Sequence, residues 1–245
     1  MTGKIRIGVG GWTYEPWRDN FYPADLRQAD ELAFASRALT VIEVNGTYYR
    51  TQTPETFAKW AAETPDGFVF ALKAPRFATS RRVLAESSES ISRFLGSGLT
   101  ELGPKLGPIN WQLPTTKKFD PADMAAFLDL LPDRLEGLPL RHAIEARHDS
   151  FACDEFTTLL RDRGIAAVQA EDGEYPRIDA PTAPFAYLRI MGTREDEPLG
   201  YSGGDLDRWA ARLRDMARTR EVFLFVISGH KAANPAAAQA LIERL

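Results

Sequence analysis

Short runs of apolar, β-branched and aromatic residues recur along the chain at 5–11, 41–49, 68–74, 107–113, 142–147, 166–171, 185–191 and 222–227. Each is bounded by turn residues and is strand-sized, so the pattern predicts eight strands. Between most of them the apolar period changes to that of a helix. "DPADMAAFLDLL" offers Asp120 as N-cap and Pro121 in the first turn, with Met124, Phe127, Leu128 and Leu131 on one stripe. "TPETFAKW" opens in the same way at Thr53 and Pro54. "DLDRWAARLRDMA" places Leu206, Trp209, Ala210, Leu213 and Met216 on one face, and "DEFTTLLRDRG" stops at Gly164, a residue suited to the position just past a helix. "NPAAAQALIERL" closes the chain with Asn234 as the expected cap. The stretch between the sixth and seventh strands, "DGEYPRIDAPTAP", is rich in proline and turn residues and predicts a loop instead of a helix.

Eight strands alternating with helices over 245 residues predict an α/β chain folded as a single (β/α)8 TIM-type barrel, one domain spanning 1–245. The alternative, a doubly wound open sheet, lacks its fingerprint. "GVGGWT" has no G-x-G-x-x-G spacing, and aromatic residues follow it where a helix would start.

Composition narrows the setting. Hydrophobic residues at 44% and charged residues at 26% are an ordinary soluble balance, and a chain this long buries a core without staples. The net charge of −4 disfavours nucleic-acid binding through the overall field, while leaving room for a local basic cleft. A single cysteine, Cys153, excludes an internal disulfide and reads as a small filler on a helix. The strongly apolar run 222–227 is far shorter than a membrane span, and the chain enters its first strand with no signal-like head. The expectation is a cytoplasmic protein with no membrane partner; no pattern fixes an oligomeric state.

In a barrel of this kind the chemistry sits at the C-terminal ends of the strands. The first strand delivers Trp12, Tyr14 and Trp17. The second gives Glu43 and Asn45 on one parity, with Tyr49 beyond. The third ends in Lys73 and Arg76, followed by Thr79, Ser80, Arg81 and Arg82. The fourth brings Gln112, the fifth Glu145 and Arg147 with His148 next, the sixth Glu171 and Asp172, and the seventh Tyr187 and Arg189 on one face.

Two readings of these charges stand side by side. They satisfy one another as a structural ion network, or they line a ligand site; the second carries more weight because all fall at one end of the barrel. The aromatic residues are either a packing plug or a wall on which a sugar or base stacks. His142, at the opposite end, reads as structural. His148 is either a satisfied loop histidine or a general acid or base, and His230 is equally open. Histidines are too few for a multinuclear zinc site. One divalent ion on Glu43, Glu145 and Asp172 is permitted but not demanded, so no metal or other cofactor is expected. Glu43 and Glu145 also form a candidate glycosidase pair, although Arg147 would keep Glu145 ionised. The dominant feature is cationic. Lys73, Arg76, Arg147 and Arg189, with Arg81 and Arg82 behind, predict a site for phosphate or carboxylate.

The segments "GGWTYEPW", "IEVNGTYYR", "TPDGFVFALKAPR", "LGPINWQLP", "IEARHDSF", "FAYLRIMG" and "VFLFVISGHKAANPAAAQAL" together resemble the YecE-like family, catalogued as a domain of unknown function, number seventy-two. The resemblance implies a TIM-type barrel in a bacterial or archaeal protein and brings no assigned reaction. By resemblance the family's motif positions are Trp12, Tyr14, Trp17, Glu43, Asn45, Tyr49, Lys73, Gln112, Glu145, Arg147, His148, Tyr187 and Arg189. The chain departs from the family pattern at Gly10 (serine there), Ser80 (histidine), Phe151 (tryptophan), Met191 (histidine) and Ser228-Gly229-His230 (an asparagine pair). Three functional readings follow, in order of weight. The first is a hydrolase or lyase on a phosphorylated or nucleotide-like anionic substrate: Lys73, Arg147 and Arg189 hold the anion, Glu43 or His148 moves protons, and Glu145 orients its neighbours. The second is a non-catalytic binder of a small anionic ligand or a partner protein. The third is a glycosidase, which requires the Glu43 and Glu145 carboxyl groups about 5–10 Å apart across an open cleft.

Overall fold

A computed structural model describes residues 3–18, 20–171 and 174–245. Its eight long strands are all parallel and close on themselves in chain order. They are β1 (Ile5–Gly10), β2 (Val41–Val44), β3 (Val69–Lys73), β4 (Leu106–Gln112), β5 (His142–Glu145), β6 (Ala166–Glu171), β7 (Phe185–Ile190) and β8 (Glu221–Val226). The ring is sealed by β1 against β8, with Ile7 opposite Leu224. Among the described residues, seven helices of eight or more residues cover the outside: α1 (Glu31–Ala38), α2 (Pro54–Glu63), α3 (Ser88–Leu95), α4 (Pro121–Leu128), α5 (Asp154–Asp162), α6 (Gly203–Ala217) and α7 (Asn234–Ile242). The predicted (β/α)8 barrel is therefore the observed fold.

Local chemistry explains where the helices start and stop. The Thr53 and Asp120 side chains accept the free amides of the first turns of α2 and α4, each with proline at the next position. Gly164 follows α5 with φ of +63°, a conformation that costs glycine little. Among the described residues of the β6–β7 connection, 174–184, there is no helix, as the proline-rich sequence predicts. Instead the Thr182 hydroxyl accepts the Ala167 amide at 2.9 Å.

Two local expectations need correction. The second strand ends at Val44, not at residue 49, because Asn45 adopts helical angles and Gly46–Tyr49 forms a helical turn. Thr47 fastens that turn to the backbone carbonyls of Val44 and Lys73, at 2.9 and 2.7 Å. Asn234 does not cap α7. A turn at Lys231–Ala233 precedes the helix, and the Asn234 Oδ1 accepts the Thr193 hydroxyl at 2.8 Å.

Strand parity divides the buried side chains into two sets. Outward residues such as Ile42, Phe70, Leu72 and Trp111 pack under the helices. The alternate set fills the barrel and changes character along each strand. At the N-terminal end it is apolar: Val41, Val69, Ala143, Phe185 and Phe223. One or two inward positions later it turns polar, with Glu43, Lys73, Glu145 and Arg189, all buried. No helix of the described residues is long and apolar enough to cross a membrane.

Candidate functional site

The upper interior is a closed polar layer built from β2, β3, β4, β5 and β7. Arg189 stands at its centre. Its two terminal nitrogens reach across the barrel, one to Glu145 at 2.7 Å and the other to Glu43 at 3.2 Å. Both carboxylates are fully buried. The Asn110 amide donates to Glu145 at 2.9 Å and lies 3.5 Å from Glu43, while the Tyr187 hydroxyl donates to Glu43 at 2.6 Å. Arg147 grips Glu145 through Nε at 2.7 Å and stacks on the Tyr175 ring at 4.4 Å. Gln112 accepts from Lys73 at 2.5 Å and from Arg147 at 2.8 Å, and Lys73 sits over the Tyr48 ring at 4.7 Å. Two atoms of the layer, Arg189 Nε and Asn110 Oδ1, are buried with no hydrogen-bond partner among the described residues.

Burial and mutual charge set the protonation states. Burial alone would raise the Glu145 carboxyl, but Arg189, Arg147, Lys73 and the Asn110 hydrogen bond overturn that and hold it at about 2. Burial pushes the Lys73 ammonium down to about 8, against the opposing pull of Glu43. Tyr187 is driven well above its ordinary value by burial and by its carboxylate partner Glu43. Arg189 resists the lowering effect of burial because Glu145 and Glu43 flank it, and it stays charged. The layer is thus three cations on two carboxylates, cross-linked by neutral amides and hydroxyls.

Above it, at the C-terminal mouth, lies an open cavity of about 770 Å³. Arg50, Arg189 and Lys231 contribute its cations, and Trp12, Tyr14, Trp17, Tyr49 and Trp60 its rings. Among the described residues, none of its lining side chains is a carboxylate or a histidine. Arg50 and Lys231 have no carboxylate partner among the described residues. A smaller chamber of about 330 Å³ adjoins it and shares Arg189 and Ser228 while adding Arg147, Tyr175 and Met191. The turn after β8 that separates them holds two successive left-handed residues, Ser228 at φ +62° and Gly229 at φ +57°. A Cβ on Gly229 would meet Thr193 atoms at 2.6–2.7 Å, so this crossing requires glycine, whereas Ser228 carries the strain of a side chain in that region.

The aromatic loop divides its labour. Trp17 is buried, donates to the Lys231 carbonyl at 2.8 Å and packs edge-on against Tyr14, Phe21 and Tyr22. Trp12 and Tyr14 stay half-buried in the cavity wall, with Trp12 edge-on to Trp60 at 5.1 Å. Asn45 also lines the cavity, in space left by Gly10, where a Cβ would come within 2.7 Å of the Asn45 amide nitrogen.

The predicted site residues therefore separate into groups. Glu43, Lys73, Gln112, Glu145, Arg147, Tyr187 and Arg189 do meet, but as the interior layer; only Arg189 also lines the main cavity. Trp12, Tyr14, Trp17, Asn45 and Tyr49 meet around the cavity. Arg76 and His148 join neither. Arg76 is exposed over the Phe77 ring at 5.3 Å, and His148 Nδ1 accepts the Ser150 amide at 3.1 Å, capping the turn at Asp149–Phe151. Glu171 has outward parity and pairs with Arg212 of α6 at 2.7 Å. Asp172 lies outside the described residues. Buried His142, at the opposite end, accepts from Trp111 at 3.1 Å, in keeping with a structural role. The glycosidase reading is corrected: Glu43 and Glu145 face no cleft and share one arginine and one asparagine. Among the described residues no three histidine, cysteine or acidic side chains gather as a metal site. Sequence reasoning missed Asn110, Tyr48, Arg50 and Lys231; of these only Asn110 had a signal, its shared parity with Gln112 on β4.

The family described as "Protein of unknown function DUF72" matches residues 6–245. The UPF0759 protein YecE of Escherichia coli K12 is 29% identical over 172 residues, which covers 67% of this chain and 58% of that protein. The chain thus spans less than two thirds of that relative's length. A DUF72 family protein from Thermotoga maritima superimposes with a TM-score of 0.75 at 23% identity, over 98% of this chain and 97% of that one. D-psicose 3-epimerase from Clostridium cellulolyticum is similar at a TM-score of 0.55 and 11% identity, over 98% of both chains. These structural likenesses speak to the fold alone.

Proposed function

The chain belongs to the DUF72 family, whose description names no reaction, and from the mouth of its barrel we propose that it binds a small phosphorylated or nucleotide-like ligand, an anion with a flat aromatic or sugar part. The single observation that carries this reading is the wall of the 770 Å³ cavity, which combines three cations and five aromatic rings with no carboxylate among the described residues. Arg50 and Lys231 lend it uncompensated positive charge, and a cleft lined by one sign of charge beside apolar walls focuses its field on an anion. Trp12 and Tyr14 offer ring faces to the flat part of the ligand. The buried layer below holds Arg189 in one orientation, so its contribution needs little reordering on binding.

Binding without turnover fits this geometry better than a hydrolase or lyase. The expected proton-handling groups, Glu43 and His148, and the expected orienting group, Glu145, lie off the cavity wall and already have partners. The test is a titration with a nucleoside 5′-monophosphate and with inorganic phosphate, read by tryptophan fluorescence and calorimetry. Replacing Arg50 and Lys231 together by glutamine weakens binding more than tenfold and leaves the unfolding midpoint in place. Unchanged affinity, or no binding to the unaltered protein, overturns the reading. Phosphate release that disappears with Glu43→Gln restores the hydrolase.

A further inference from the structure

Because every barrel strand is parallel, the loops that follow them share one end of the molecule, and their charges are strongly polarised. The segments after β2, β3 and β4 (45–53, 74–87 and 113–120) carry six lysines and arginines and two carboxylates. Those after β6 and β7 (172–184 and 191–202) carry two arginines and six carboxylates. A net charge of −4 conceals this division.

The basic half is one continuous surface. β2, β3 and β4 are neighbours in the barrel. The Thr47 hydroxyl ties the turn after β2 to the Lys73 carbonyl, and Lys117 ties the loop after β4 to the Arg82 carbonyl at 2.8 Å. A second cleft, of about 620 Å³, opens between the last two loops and is walled by the cations Arg81, Arg82, Lys117 and Lys118, which outnumber its carboxylates Asp120 and Asp123. Lys117 is partly spent on Asp123 at 2.6 Å, whereas Arg82 and Lys118 have no carboxylate partner among the described residues.

The same half displays large apolar side chains to solvent. Tyr49 is 66% exposed and Phe77 59%, and Val83, further along the Phe77 loop, is also exposed. Arg76 lies over the Phe77 ring at 5.3 Å. Tyr49 and Arg50 border the mouth cavity, Val83 and Arg82 border the second cleft, and Phe77 stands nearer β3 on the same loop as Arg82 and Val83. Exposed rings interleaved with unpaired cations have a specific use: bases stack on the rings while phosphates track the cations. A duplex keeps its bases stacked on one another and leaves such rings idle.

We propose that the rim formed by the loops after β2, β3 and β4 takes a single-stranded nucleic acid, its backbone crossing from the Arg82–Lys118 cleft past Phe77 and Tyr49 so that one nucleotide enters the mouth cavity. The proposal rests on the reading of that cavity as a nucleotide-sized anion site, and extends the ligand class from a free nucleotide to a strand. The acidic loops after β6 and β7 repel the backbone from the other half, which gives the strand a single path.

Fluorescence anisotropy with labelled twelve-residue oligo(dT) and oligo(rU), across a sodium chloride series, tests it. The logarithm of the affinity should fall linearly with the logarithm of salt concentration, by roughly 0.7 in slope per phosphate neutralised. Phe77→Ala weakens binding at least fivefold. The pair Arg82→Gln and Lys118→Gln weakens it further and lowers the salt slope by about 1.4. All three changes leave the affinity for a nucleoside monophosphate unaltered, since they lie outside the mouth. Oligonucleotide binding that ignores these substitutions, equal binding of a duplex of the same length, or preference for phosphatidylserine vesicles overturns the proposal. Loss of monophosphate binding on Arg50→Gln and Lys231→Gln tests the cavity alone, so failure of the rim and failure of the mouth are told apart.

Discussion

Arg189 and Lys231 both border the mouth cavity, and they stand for two regions that treat charge in opposite ways. Arg189 arises from inside the barrel, is almost wholly buried, and holds two carboxylates from strands on either side. Lys231 sits on the turn after β8, exposed, with a tyrosine ring at 5.9 Å and no carboxylate partner among the described residues. A buried cation must be neutralised to exist there at all, so its charge is committed to the fold. A rim cation stays hydrated and keeps its charge for whatever arrives. In the proposed function the buried layer would hold the site rigid, and the rim would supply its attraction.

The sharpest way to break this comparison is to remove the centre of the layer. Arg189→Met strands two buried carboxylates, and urea unfolding should record a loss of about 3–5 kcal/mol. The same measurement on Lys231→Gln should move by less than about 0.5 kcal/mol, as for an ordinary surface change. Equal effects would erase the distinction between the two regions.

The pH dependence sharpens it next. The Glu145 carboxyl is depressed in the fold, so its stabilisation is present above the ordinary carboxylate value and is lost as pH falls from about 4.5 towards 2. On the alkaline side Lys73 gives a second limb with the same sign of slope. Its folded value of about 8 lies below the unfolded value of 10.5, so the unfolded chain binds more protons in that window and stability rises with pH from about 8. Above about pH 10 Tyr187, held protonated in the fold, reverses the trend. Stability followed from pH 2 to 11 should show both limbs; Glu145→Gln removes the first and Lys73→Gln the second. The smallest effect belongs to the cavity turn. Ser228→Gly relieves a left-handed side chain at some cost in backbone entropy, for a net gain of about 0.5 kcal/mol by thermal unfolding.

Much of the architecture was legible because it is periodic. Eight strand-length runs, the Thr53 and Asp120 caps and the proline-rich 174–184 stretch each pointed to the element that formed. Parity also grouped Glu43, Lys73, Glu145 and Arg189 correctly. It did not report depth. Two residues on one face of a strand are equivalent to the pattern, yet one step along a barrel strand decides between an open mouth and a sealed interior. That is why these residues read as ligand contacts and proved to be one another's partners. The run at 41–49 overshot because "GTYY" has strand propensity, while Thr47 and Asn45 turn the chain by local hydrogen bonding and backbone angle. Arg50 and Lys231 lie on loops, where no periodicity marks them, and the charge polarity of the rim emerges only when the strand order is known.

The gradient inside the barrel, aromatic and aliphatic below and ionic above, makes the molecule a cup and not a pipe. Phe185 and Phe223 stop the bottom, and the salt-linked layer is its floor. Since the described residues fill the interior below, a ligand of the mouth as proposed would arrive and depart past the same lip, and a change in that lip would alter both rates together.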